Sequence, residues 1–416
     1  MSAAPAPRRS PVGAHQPSAP LALLAHPSAE LYGSDRVLLE SISALREDGF
    51  RVVVVLPSDG PLTAAALERG ASVIVTPSLV LRKSLLRPRG LLRLLTAGPV
   101  LVLRHRALLR RLRPEVVVVN TVTVPGWLIA SRLASIPAVC HVHEAERSAS
   151  SLVRRGLNAP LVLARRVIAN SVFSRDTLLD ATPRLAARSV VVYNGVEGPR
   201  TATAPRSALD TAPLRLAFLG RISERKGAAV AVESLIELRR HGVDARLTLI
   251  GDVFPGYEWF RDRLRQRIAE SGVGDHVVEA GFVDPVWPLL DDADIVLIPS
   301  VADEPFGNTA VEAVLAARPT VVSDTSGLRE AGAVFDSVVS VPPGDARALA
   351  EAVVRIVEDW PAARERARRS AVDAAERYGV PRYRERFAAE VRAAVPDLAH
   401  PRAASDHGRN ASPTTT

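Results

Sequence analysis

Cysteine, lysine, aromatic side chains and long apolar runs are all scarce in this chain of 416 residues. The single cysteine, Cys140, excludes a disulfide framework and points to a reducing compartment. Lysine occurs twice, beside 51 arginines. Aromatics are 4% of the residues, which leaves little for base stacking and argues against a nucleic-acid partner. No apolar run approaches the length of a membrane span. The uncharged stretch 10–29 holds four prolines and only five consecutive aliphatic residues, so it is neither a signal peptide nor an anchor. A cytoplasmic protein is expected.

What is present is apolar and basic. At 47% hydrophobic residues and this length, two domains of roughly 150 to 200 residues are expected. The net charge of +8 divides unevenly, with +13 in residues 1–200 and −5 in the remainder. Residues 79–113 carry ten Lys/Arg and no acid among Leu, Val and Pro, with no aromatic. Such a segment reads either as a contact with an anionic membrane surface or acidic acceptor, or as a solvated helical surface.

Residues 1–19 and 396–416 read as disordered tails. Between them, short continuous Val/Ile/Leu runs alternate with helical spacing, the pattern of parallel sheets buried on both faces. Strands are expected at 21–25, 51–56, 72–75, 116–120, 138–142, 166–170 and 189–193. After a Pro/Ala/Thr/Arg-rich linker at 198–213 the design restarts, with strands at 214–219, 246–250, 277–279, 295–298, 320–323 and 338–341. The fold class is α/β: two Rossmann-like doubly wound domains, at 20–197 and 214–378, facing a central cleft, followed by a helix at 379–395.

Four constellations carry chemistry. Gly220-Arg221-Ile222-Ser223-Glu224-Arg225-Lys226-Gly227 joins a strand to a helix and places three cations where the helix dipole is positive, which favours a bound phosphate. A lysine here, rather than the prevailing arginine, suits a point-charge phosphate contact. Glu304 and Glu312 stand eight positions apart around Pro305-Phe306-Gly307. Glu304 lies where a charged acceptor could read sugar hydroxyls, whereas Glu312 is either a ligand group or the partner of Thr309 in a capping box. His141-Val142-His143-Glu144 follows a strand and offers a metal pair, a single functional histidine or a structural one. Tyr32-Gly33-Ser34-Asp35-Arg36 is a glycine turn with Ser34 as expected helix cap, and either an ordinary loop or a close approach to ligand. The acids Asp291, Asp292 and Asp294 read as turn formers rather than metal ligands.

Together these residues resemble the GT-B retaining glycosyltransferases of family 4, the glycosyl transferases group 1, over residues 21–394. FLGRISERKG is similar to the family's glycine–arginine and lysine–glycine element, EPFGNTAVE to its paired-glutamate motif, and RPTVVSDTSGLRE to the strand and turn that follow, with Ser326-Gly327 where the family often has two glycines. ELYGSDR, IPAVCHVHE and VVYNGV resemble its first glycine loop, strand-end histidine and pre-linker turn. The resemblance implies that the last helix returns to the first domain. It implies that Arg221 and Lys226 hold a donor diphosphate near Gly33, and that Glu304 contacts the transferred sugar. Phe306, Gly307, Asn308 and Thr309 would contact sugar and phosphate, Glu312 the ribose, and the loop of Gly281, Phe282 and Val283 the base, with His143 by the reacting centre. It further implies a nucleotide-sugar donor, a glycan or lipid-linked acceptor, and neither metal nor cofactor.

Two other readings remain. A nicotinamide-dependent oxidoreductase would share the fold, but neither first loop has G-x-G-x-x-G. A non-catalytic nucleotide-sugar or glycan-binding protein would share both fold and motifs.

Overall fold

The computed structural model describes residues 19–31, 33–81, 88–145, 147, 151–209 and 213–395. Both tails expected to be disordered, apart from residue 19, lie outside the described residues, as do Tyr32, residues 82–87 of the basic segment and residues 210–212 of the linker.

The continuous apolar runs form two all-parallel sheets. The first contains β1 (Leu21–Ala25), β2 (Arg51–Leu56), β3 (Ser72–Val75), β4 (Val116–Val119), β5 (Ala138–Val142), β6 (Arg166–Ala169) and β7 (Ser189–Val191), in the order β3-β2-β1-β4-β5-β6-β7. The second contains β8 (Leu214–Leu219), β9 (Ala245–Ile250), β10 (Val277–Gly281), β11 (Ile295–Ile298), β12 (Thr320–Ser323) and β13 (Val338–Val341), in the order β10-β9-β8-β11-β12-β13. The four valines of β4 are wholly buried because helices cover both faces of the sheet. In each sheet the strand order reverses beside the first strand, between β1 and β4 and between β8 and β11. The crevice at the carboxyl ends of those strands is where a doubly wound sheet receives a ligand.

Helix α1 (Gly33–Glu47) packs Val37, Leu38, Ile42 and Leu45 against one face of the first sheet. Its helical residues begin at Gly33, so Ser34 lies inside the first turn and is not the cap that its sequence context suggested. Helices α2 (Pro61–Glu68) and α3 (Pro88–Leu112) follow, and α4 (Gly126–Ala134) buries Trp127 and Leu128 on the other face. After α5 (Ser151–Asn158) and α6 (Val172–Ala181) the chain enters the second domain. There α7 (Ala228–Arg240), α8 (Glu258–Glu270), α9 (Trp287–Asp292), α10 (Asn308–Leu315), α11 (Ser326–Ala331), α12 (Ala346–Glu358) and α13 (Trp360–Tyr378) wrap the second sheet.

The linker is held to the second domain. Arg206 donates from Nε and Nη2 to the buried Asp294, both at 2.8 Å, and its carbonyl accepts from Trp360 Nε1 at 3.0 Å. Asp291 and Asp292 pair with Arg318 and Arg215, so all three acids anchor arginines. The last helix, α14 (Val380–Ala393), crosses back to the first domain. It inserts Tyr383, Phe387 and Val391 into the core built on α1, bonds Tyr383 Oη to Ser41 Oγ at 2.6 Å, and sets Arg384 on Glu40 and Glu47.

Candidate active site

The second domain supplies a cation–carboxylate centre. Gly227 begins α7 with φ +74°, and a Cβ there would lie 1.8 Å from the Pro299 carbonyl oxygen. Only glycine lets the start of α7 approach the end of β11 this closely. That approach brings Lys226 Nζ to 2.9 Å from Glu304 Oε1, which also accepts from Ser300 Oγ at 3.1 Å. Glu304 is 5% exposed, and Arg225 Nη2 stands 4.0 Å from its second oxygen. The cation that the α7 dipole disfavours and the carboxylate that burial disfavours thus compensate one another. Arg221 is stacked on Phe254, its guanidinium carbon 3.3 Å from the ring centroid.

Glu312 is not in a capping box. Helix α10 starts at Asn308, with Gly307 as cap at φ +119° and no side-chain cap, so Thr309 and Glu312 both lie inside the helix. The Thr309 hydroxyl is buried without a partner among the described residues. The Glu312 carboxyl receives no hydrogen bond from a described residue, and only its main-chain carbonyl accepts one, from the Ala316 amide. Burial pushes its carboxyl up to about 7, against the pull of Arg36 and Lys226 and with a further push from Asp284. It faces a cleft cavity of about 280 Å³ between the domains, lined also by Arg36, Asp284, Trp287 and Asn308. Gly327 packs under the Glu304 loop, where a Cβ would lie 2.1 Å from the Glu304 carbonyl oxygen.

Phe306 is 2% exposed, in an aromatic cluster with Tyr193 and Tyr378, so only its backbone is available to a ligand. Phe282 is exposed and Val283 half-buried on the loop after β10. A Cβ on Gly33 would stand 3.5 Å from Asn308 Nδ2, so the starts of α1 and α10 meet across the cleft.

The first domain contributes His143, the residue after β5. Its Nε2 bonds Asn120 Oδ1 at 3.0 Å, and its amide donates to Glu144 Oε2 at 3.1 Å. Desolvation holds its imidazole down to about 3, so it is neutral across the physiological range. Strand alternation does bring the His141 ring to the same side, 4.0 Å from that of His143. His141 is wholly buried, with Phe387 at 5.3 Å, and its own ionisation is suppressed by desolvation. Among the described residues no three His, Cys, Asp or Glu cluster as a metal site would.

Several contacts in the cleft were not foreseen in the sequence. Ser171 Oγ and Ser174 Oγ donate to the Pro305 carbonyl at 2.5 and 3.1 Å, and Glu330 accepts from the Val172 and Phe173 amides at 2.6 and 2.9 Å. Asn194 Nδ2 donates to Asn308 Oδ1 at 2.9 Å, and Arg36 Nη2 meets Asp284 Oδ2 at 3.0 Å. These contacts join residues more than a hundred positions apart, and local spacing carries no signal for them.

Comparison with known proteins agrees with this geometry. The family profile described as glycosyl transferases group 1 matches residues 213–359, and that described as glycosyltransferase family 4 matches residues 32–197. The glycogen synthase of Mycobacterium tuberculosis is 30% identical over 279 residues, 62% of this chain and 64% of that protein. The 2-deoxystreptamine glucosyltransferase of Streptomyces kanamyceticus is 30% identical over 256 residues, 56% of this chain and 64% of the relative. The chain thus spans somewhat under two thirds of these curated relatives. Among solved structures, HepE of Anabaena in complex with UDP and glucose superposes with a TM-score of 0.73 at 24% identity, over 88% of this chain and 98% of that one. At that identity the likeness speaks for the GT-B fold.

Proposed function

The chain belongs to the group 1, family 4 glycosyltransferases, and on that premise we propose that it is a retaining, metal-independent enzyme with a nucleoside-diphosphate sugar as donor. It transfers a hexosyl or deoxyhexosyl group to a glycan or lipid-linked acceptor in the synthesis of cell-envelope polysaccharide or glycoconjugate. The observation that carries the reading is the Lys226–Glu304 pair at the start of α7, with Glu312 bordering the same interdomain cleft. The UDP and glucose held by the Anabaena protein support the donor class.

In this reading Arg221 and Lys226 hold the diphosphate and stabilise charge developing on the β-phosphate as the anomeric C–O bond breaks. The acceptor oxygen attacks the same face of the anomeric carbon, and its proton passes to the departing phosphate oxygen. Glu304 orients the sugar, and the backbone at Phe306 and Gly307, with Asn308 and Thr309, lines sugar and phosphate. Glu312 takes the ribose hydroxyls, Phe282 and Val283 flank the base, Gly33 admits the phosphates and His143 borders the reacting centre. A thermal-shift panel of nucleotide sugars on purified protein tests the donor class, since a ligand at 100 times its Kd adds about 2.7 kcal/mol. Absence of any shift defeats it. The anomeric configuration of the product and turnover in EDTA test retention and metal independence.

A peripheral membrane contact through residues 79–113, in an otherwise cytoplasmic protein, is part of the proposal. It is supported by α3, which exposes Leu95, Val100 and Leu103 alongside Arg104, Arg110 and Arg111. No described helix is long and apolar enough to cross a membrane. Neutralising Arg104, Arg110 and Arg111 should abolish sedimentation with anionic liposomes, and unchanged sedimentation defeats this part.

A further inference from the structure

His26, Asn120 and His143 are the residues immediately past the carboxyl ends of β1, β4 and β5, the three adjacent strands at the reversal point of the first sheet. They form one hydrogen-bonded line. His26 Nε2 lies 2.6 Å from Asp35 Oδ1, which also accepts from Ser28 Oγ at 2.7 Å. His26 Nδ1 lies 3.0 Å from Asn120 Nδ2, and Asn120 Oδ1 lies 3.0 Å from His143 Nε2. His26, Asp35 and Asn120 are buried at about 1% exposure, and only His143, at the far end, is partly open.

The chemistry of each group fixes the next. An ionised carboxylate accepts only, so His26 carries its proton on Nε2. Asn120 turns its NH₂ toward His26 Nδ1, which therefore accepts. Asn120 consequently turns its oxygen to His143, and an amide oxygen also accepts only, so His143 carries its proton on Nε2. Its Nδ1 has no partner among the described residues and is not among the buried unpaired atoms. Glu144 braces the same residue from behind, receiving the His143 and Val122 amides and the Thr121 hydroxyl.

We propose that Asp35, His26 and Asn120 are positioning residues that lock His143 in the Nε2–H tautomer. The lock leaves an unprotonated Nδ1 as a hydrogen-bond acceptor for a hydroxyl of the sugar or acceptor. The inference rests on the glycosyltransferase reading for its purpose, but the tautomer itself does not.

The test is ¹⁵N-histidine NMR on the full chain, with His143 assigned by His143→Asn, alongside kinetics with whichever nucleotide sugar the enzyme turns over. The wild type should show a pyrrole-type Nε2 and an unprotonated Nδ1 at His143; a proton on Nδ1 overturns the proposal without any variant. Asn120→Ala should mix the tautomers and lower kcat by about tenfold, with the donor KM within about twofold. Asn120→Asp keeps an acceptor toward His143, lets His26 take a proton between two carboxylates, and should restore the Nε2–H form and most of kcat. Equal losses in Asn120→Ala and Asn120→Asp, with kcat and KM moving together, would reduce the line to scaffolding and overturn the proposal. If the wild type turns over no nucleotide sugar, the functional reading fails while the tautomer measurement still decides the relay.

Discussion

Lys226 Nζ rests 2.9 Å from Glu304 Oε1, so the cation proposed to hold a phosphate already has a counter-ion. Removing it strands a carboxylate that is 5% exposed. Lys226→Ala should cost about 1–3 kcal/mol of stability. Adding Glu304→Gln should return most of that loss without restoring donor binding. Urea melts and nucleotide titrations on the single and double variants separate the two effects, and a double variant that binds donor normally contradicts the assignment.

If Glu304 faces the sugar and Lys226 the phosphate, as proposed, their variants should fail differently. Glu304→Gln keeps nucleotide affinity within a few-fold and lowers transfer by about a hundredfold, the size expected for an interaction made chiefly in the transition state. An equal loss of affinity and rate would place Glu304 on the nucleotide instead.

Burial disfavours the charge of Glu312 and pushes its carboxyl up to about 7. Ribose hydroxyls donate to the ionised form, so nucleotide affinity should be full above pH 7 and fall with pH below it, by up to about tenfold per unit. The same raised value makes a stability contribution that is present below about 4.5 and lost as pH rises through 7. Glu312→Gln should flatten both dependences, as titration calorimetry and melting across pH 5–8 would show. A wild-type affinity that is level across that range removes Glu312 from the ribose.

Ser171 and Ser174 both donate to the carbonyl of Pro305, the residue after Glu304, and so tie the first domain to the Glu304 loop of the second. Replacing both with alanine should lower kcat/KM by about thirtyfold, from two lost bonds of roughly a kcal/mol each. Unchanged kcat/KM would mean that this contact is dispensable.

Phe387 lies in the helix that returns to the first domain and is wholly buried in the core of β1, β2 and α1. Phe387→Ala should destabilise that domain by about 3–5 kcal/mol, measured by denaturant unfolding. A loss under 1 kcal/mol would show that the helix only rests on the surface.

Much of the fold was legible because a parallel sheet buried on both faces writes itself as uninterrupted Val/Ile runs, as at 116–119 and 295–298. The cations at 221–226 were legible because charge at a helix start runs against the dipole. Local rules misled where tertiary contacts prevailed. Thr309 and Glu312 have capping-box spacing, yet Gly307 at φ +119° starts the helix earlier and frees the carboxylate for the cleft. Ser34 was misplaced in the same way. The Asp35–His26–Asn120–His143 line was illegible because three strand ends supply it, and its members become neighbours only once β1, β4 and β5 pair. Phe306 sat in a recognised motif, but only packing against Tyr193 and Tyr378 shows that its ring belongs to the core.

The central claim is that the interdomain cleft receives a nucleoside diphosphate through Lys226. Calorimetric titration of UDP, GDP and ADP into the wild type and into folded Lys226→Ala tests it most directly. The account predicts one saturable site for at least one nucleotide in the wild type and affinity at least about tenfold weaker in the variant. Equal affinity in both proteins, or no binding of any of the three to the wild type, would contradict it.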